Sequence, residues 1–263
     1  MAVPAYKEEK IISFEVIAGK KNEDTKEVKL KKDGTVKKVV NNKVAGKDSE
    51  VYAFRTKEEI EMMINVFDKH INEAENDCQR QIWCRNKLMF IIGINVGVRA
   101  SDLHSLKYEY FYTMENGKPV FKDFYVLQPM KQRKQKKFVK LFFNQSVKTA
   151  LNNYIEEYPF ESLDDYLFPS RKGNGAIQAE TIYKVVKDVA YEAGIKQNIG
   201  SHSLRKTFGF HIFHNAEDKE NALVMLMTIF NHSSIATTKK YIGIMNEEIE
   251  DVFNSLNLGI EFI

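Results

Sequence analysis

Residues 201–242 read SHSLRKTFGFHIFHNAEDKENALVMLMTIFNHSSIATTKKYI. His202 and Arg205 stand three residues apart at the head of a helical run, so one turn brings imidazole and guanidinium to the same face. His232 follows, and Tyr241 comes nine residues later, the two flanking a short helix that Ser233 or Ser234 can cap. A phenol, two imidazoles and a guanidinium drawn together in a basic chain point to nucleophilic attack on a phosphodiester. Around the pair the pattern gives helices near 203–214, 218–230 and 234–241, then a last one near 246–255.

Upstream, the period is helical back to Thr56. Thr56-Lys-Glu-Glu59 is a capping box that opens a helix to about Glu75. A second helix, Asp77 to Val96, is apolar through LMFIIGINV, belongs at the centre of the core and stops at Gly97. A short helix starts near Ala100. Aromatic-rich extended segments YEYFYT and FKDFYVLQ follow, with a turn at Glu115-Asn-Gly117, and the basic turn KQRKQKK leads into FVKLFF. These give one small antiparallel sheet of three strands. Helices over about 145–158 and 179–193 bracket an exposed loop, LFPSRKGNGA. The fold class expected is α+β, mainly α.

Residues 1–51 differ. IISFEVIAG and EVKLKKDGTVKKVV alternate apolar and charged residues around Asp33-Gly34, the signature of a β-hairpin-like appendage, solvated or DNA-binding.

Composition bounds the class. The chain has 263 residues, 43% of them hydrophobic, which suffices for a real core. A net charge of +3 argues only weakly for nucleic acid, so the placement of the basic residues carries that argument. Cys78 and Cys84, six apart, fit neither a zinc knuckle nor a redox pair and read as reduced thiols. With no apolar leader and no apolar run of about 18 residues, the expectation is a cytoplasmic protein with no membrane partner.

Four blocks together carry a resemblance: Gly97-Val-Arg99-Ala-Ser-Asp-Leu103, His202-Ser-Leu-Arg205, Asn231-His232-Ser-Ser and Thr237-Thr-Lys-Lys-Tyr241. In order and spacing they resemble the catalytic domain of the tyrosine recombinases, the family of phage and conjugative-transposon integrases, over residues 52–256. The resemblance implies a metal-free, cofactor-free bacterial enzyme of site-specific DNA recombination, acting in integration or excision of a mobile element. Its catalytic residues fall on Arg99, His202, Arg205, His232 and the nucleophile Tyr241. The family lysine falls on Lys131, or on Lys134, because the turn length does not fix the register.

The chemistry can be argued separately. Attack on a phosphodiester builds negative charge on the non-bridging oxygens, which two guanidiniums bind in a geometry lysine cannot match. Arg99 and Arg205 are that pair, and His232 adds a hydrogen bond. Tyr241, ordinarily near pKa ~10, needs a base, for which His202 is placed, and the leaving 5′-oxygen takes a proton from the lysine. The resulting 3′-phosphotyrosine keeps the bond energy, so rejoining needs no ATP.

Double-stranded DNA is the expected partner. Arg133, Lys134, Lys136 and Lys137 of the basic turn, Arg171 and Lys172 of the loop, and Lys239 and Lys240 beside the tyrosine would meet phosphates. Family members also pass a C-terminal segment between protomers of a tetramer on two DNA sites, and the apolar tail 257–263 is the segment expected to do so.

Two departures stand out. Only 51 residues precede the match, and they read as β where the family carries a helical core-binding domain, so encirclement of DNA by one chain is not implied. The residues before His232 are Phe-Asn where the family has Leu-Gly. Three other readings are strand passage like that of a type IB topoisomerase, a catalytically silent DNA-binding accessory, and an interaction protein with no DNA role, against which the basic turn argues.

Overall fold

The computed structural model describes residues 51–130, 138–171, 173 and 175–255. The chain divides into units 1–48 and 49–263. The first unit, with the expected β appendage, lies outside the described residues, as do the tail 257–263 and the basic turn 131–137.

Nine α-helices are present among the described residues: α1 Lys57–Asn72, α2 Asp77–Val96, α3 Ala100–Leu103, α4 Gln145–Glu157, α5 Ala179–Glu192, α6 Ser201–Asn215, α7 Lys219–Phe230, α8 Ile235–Ile242 and α9 Ile244–Ser255. Their ends follow local chemistry. The Thr56 hydroxyl accepts from Glu59 N at 3.1 Å while the Glu59 carboxylate accepts from Thr56 N, the reciprocal box expected from sequence. α1 stops at Asn72, short of Glu75, because Asn76 already caps α2 by accepting from Gln79 N.

The sheet differs from expectation. Four short strands form two separate antiparallel pairs: β1 Tyr112–Glu115 with β2 Lys118–Phe121, and β3 Phe124–Leu127 with β4 Val139–Phe142. Asn116 and Gly117 both take positive φ, 50° and 76°, and close β1–β2 as a tight hairpin of its own. Tyr108–Tyr110, expected in a strand, is a 3₁₀ turn whose Tyr108 ring stacks on Phe160 at 4.4 Å.

Helix α2 is central, as expected: Leu88, Met89, Phe90 and Ile92 are buried in the main core with Phe54, Phe67, Leu151 and Val186. A second, smaller cluster joins Leu223, Leu226, Phe230, Ile242 and Ile244, with Tyr241 packed against it. Between the two runs α6. It is not amphipathic: five consecutive residues from Ser203 to Thr207 are buried, more than one full turn, so it is enclosed all round.

Gly209 lets α8 approach α6. A Cβ there would stand 2.6 Å from Ile242 and 2.9 Å from the Phe230 ring. We expect Gly209→Ala to cost about 1–3 kcal/mol, read as a lower midpoint of urea unfolding. An unchanged midpoint would show that the two helices part at no cost.

Candidate active site

The site is built where three helix ends meet. α2 stops at Gly97, whose φ of +66° turns the chain; an added Cβ would lie 2.3 Å from the Phe208 ring. Extended backbone then brings Arg99 to the start of α3. α7 ends at Phe230, and Asn231 caps it in the left-handed conformation, φ 52° and ψ 51°. His232 N closes back on the Met227 carbonyl at 2.9 Å. Among side-chain-bearing residues asparagine takes this conformation most readily after glycine, which accounts for Asn231 where the resemblance leads one to expect glycine.

The Phe230 carbonyl is the meeting point. Arg99 donates to it through Nη2 at 3.1 Å, and Arg205 through Nη2 at 3.2 Å. The carbonyls at the end of a helix lack helical partners and carry its negative pole, so they suit two guanidiniums. Arg205 also donates to the Gly97 carbonyl, lies 4.2 Å from the centre of the Phe230 ring and acts electrostatically on the Tyr241 phenol. Burial pulls its pKa down to about 10, so at neutral pH it keeps its charge.

Tyr241 sits on α8, whose start Ser234 caps by accepting from Thr237 N at 3.1 Å. Its ring meets Phe230 edge-on at 5.3 Å and His232 at 5.1 Å. Burial pushes the phenol above its ordinary pKa, while Arg205 and Arg99 pull the other way. His232, half-buried, is held below its usual range by burial and by the same two arginines. Its Nδ1 lies 3.1 Å from Thr238 Oγ1.

Four expected residues are therefore brought together: Arg99, Arg205, His232 and Tyr241. His202 stands exposed in the first turn of α6, although Arg205 one turn later is buried. Lys131, Arg133, Lys134, Lys136, Lys137 and Lys172 fall outside the described residues. Arg171 and Lys240 are exposed, and Lys239 is paired with Glu248 at 2.6 Å. His211 and His214 make structural contacts: one hydrogen-bonds the Phe54 carbonyl at 2.9 Å, the other lies tilted against the Phe210 ring at 4.0 Å.

Two further residues belong to the site. Asp102, buried, accepts from Met130 N at 2.8 Å, which ties the residue preceding the basic turn to the arginine pair. Lys206 is buried with its Nζ 5.6 Å from the Tyr241 ring centroid. The Arg205-Lys206 dipeptide was visible in the sequence, but nothing marked the lysine as buried. A groove of about 680 Å³ lined by Ile60, Ile64, Leu88 and Ile91 shares no residue with this site. Among the described residues no three or more His, Cys, Asp or Glu side chains stand close enough to hold a metal, and none of the helices is long and apolar enough to cross a membrane.

The phage integrase family matches residues 54–248, and the chain belongs to that family, the tyrosine recombinases, enzymes of site-specific DNA recombination. It is 31% identical over 160 residues to the probable integrase/recombinase YoeC of Bacillus subtilis (strain 168), covering 61% of this chain and 78% of that one. With tyrosine recombinase XerD of Listeria monocytogenes serotype 4b (strain F2365) the identity is 23% over 200 residues, 74% of this chain and 62% of that one. The fold is that of XerA recombinase (TM-score 0.54, 19% identity, 82% of this chain and 68% of XerA). It is likewise that of XerH recombinase in a post-cleavage complex with palindromic difH (TM-score 0.54, 20% identity, 81% and 55%). Against XerD and XerH, then, the chain spans less than two thirds of the relative's length.

Proposed function

We propose that this chain cleaves and rejoins double-stranded DNA at specific sites through a 3′-phosphotyrosine on Tyr241, in integration or excision of a mobile element in the bacterial cytoplasm. The observation that carries the reading is the convergence of Arg99 and Arg205 on the Phe230 carbonyl, with Tyr241 packed on the Phe230 ring within the field of both. Groups that can share one carbonyl oxygen can also share a phosphoryl oxygen. The guanidiniums would bind the charge that develops on the phosphorus oxygens, and the phenolate would displace the 5′-oxygen. Family membership and the difH complex of XerH support DNA as the partner. Lys131, following the tethered Met130, is the proposed acid for the leaving oxygen, with His202 assigned to the phenol proton. Arg133, Lys134, Lys136, Lys137, Arg171, Lys172 and Lys240 are the proposed phosphate contacts. Lys239 would have to give up Glu248 to join them.

The test is covalent trapping. A nicked duplex carrying the candidate site is mixed with the full chain in EDTA and run on a denaturing gel. A shifted band whose peptide map ends on Tyr241 is expected. No denaturant-stable band, with DNA still bound at low salt, would overturn the reading. A band that requires added magnesium would overturn its metal-free part.

The finer proposal is a tetramer on two sites, joined by the tail 257–263. Support comes from α9, which leaves Ile249, Val252 and Phe253 exposed at helical spacing, 52%, 68% and 72%. Deleting 257–263 should weaken assembly on DNA, read by light scattering, and spare cleavage by isolated subunits. Unchanged assembly would remove the tail from the proposal.

A further inference from the structure

We propose that Thr238 is a positioning residue that fixes the tautomer of His232, holding the proton on Nδ1 so that Nε2 carries the lone pair. The inference rests on the function proposed above for its catalytic meaning, but the tautomer itself does not depend on it.

Thr238 is fully buried, at 0% exposure, on the inner side of α8. Its Oγ1 lies 3.3 Å from the Ser234 carbonyl oxygen and 3.1 Å from His232 Nδ1. A hydroxyl has one proton to give, and a carbonyl can only accept. If that proton went to the imidazole, the lone pairs of Oγ1 would face the Ser234 oxygen with nothing between them. Ser234 O already accepts from Thr238 N at 3.2 Å, and the arrangement that also avoids this repulsion sends the hydroxyl proton to the second lone pair of Ser234 O and takes Nδ1–H from His232. The second ring nitrogen is then bare whenever the imidazole is neutral.

Burial and the two arginines favour the neutral ring. His232 therefore enters the reaction as an acceptor. It donates to a phosphoryl oxygen through Nε2 only after gaining a proton, whereas the sequence-based expectation made it a donor from the outset. The Tyr241 ring, on the same helix as Thr238, lies 5.1 Å from the His232 ring. One buried hydroxyl thus links the cap of α8, the histidine before it and the nucleophile within it.

The experiment is ¹⁵N NMR of the histidine-labelled full chain without DNA, at mildly alkaline pH, with His232 assigned from the missing signals of His232→Gln. The wild-type spectrum should show Nδ1 protonated and Nε2 unprotonated. Thr238→Val, which removes the hydroxyl and keeps the shape, should give mixed tautomers and slow covalent-complex formation about 10–100-fold. Thr238→Ser should keep the wild-type tautomer and restore the rate. Protonated Nε2 in the wild type overturns the proposal, as does a valine variant with wild-type tautomer and rate. If the valine variant does not fold, the wild-type and serine spectra decide. A correct tautomer in a protein that forms no covalent complex would leave this inference standing while the proposed function falls.

Discussion

Tyr241→Phe is expected to abolish the denaturant-stable DNA adduct, lowering its rate about 10⁴-fold or more, because no other group can take the place of the attacking oxygen. The ring itself should stay. Its edge-on contacts with Phe230 and His232, at 5.3 and 5.1 Å, do not involve the hydroxyl. What is lost in the folded state is the hydroxyl's interaction with Arg205, and a polar interaction with a charged group contributes at most about 1.5–3 kcal/mol. Arg205 keeps its two carbonyl partners, so the melting temperature should move modestly and DNA binding in a gel shift hardly at all. Adduct formation by the phenylalanine protein would mean that another nucleophile, not Tyr241, carries the reaction.

Arg205→Lys should be the more damaging change overall, since it strikes stability and chemistry together. The guanidinium donates to the Gly97 and Phe230 carbonyls, lies over the Phe230 ring and acts on the Tyr241 phenol. A lysine ammonium is a compact point charge without the planar fork and cannot reach these partners together. Its burial with incomplete partners should cost about 3–5 kcal/mol, seen as a fall in the urea midpoint. Cleavage by the protein that remains folded should fall about 10²–10³-fold. Arg99→Lys is the control: Arg99 is less buried and makes one such bond, to Phe230, so its stability loss should be smaller for a comparable loss of rate. Equal unfolding midpoints for the two variants would contradict the central placement of Arg205.

The sequence made side-chain spacing legible and left backbone partners silent. The capping box at Thr56, the span of α2 and the Ser234 cap all follow from short-range rules, and each stands where the residues put it. The four blocks placed Arg99, Arg205, His232 and Tyr241 in one family pattern, and those side chains do converge. What gathers the two arginines is a carbonyl oxygen, and a carbonyl looks the same at every position of a sequence. Burial was also hidden: α6 carries polar residues at 203, 205, 206 and 207, yet packing between two apolar clusters encloses them. His202 illustrates the converse, since spacing alone could not tell that this one residue of the first turn is exposed. The split of the expected sheet came from a turn that was read correctly. Asn116-Gly117 closes a hairpin tight enough to be complete in itself, and β3 then pairs with β4 instead.

Two like charges meeting on one carbonyl oxygen also have a thermodynamic meaning. Arg99 acts against the charge on Arg205 and the Asp102 carboxylate for it, while Met130 N already occupies one oxygen of that carboxylate. That repulsion is borne by the folded state before any substrate arrives, and it vanishes on unfolding as the guanidiniums separate. An anion seated between them relieves it, and a ligand that binds only the folded form raises stability in proportion to its occupancy. Readiness for phosphate and resistance to unfolding thus oppose each other in the free protein, and substrate binding reconciles them.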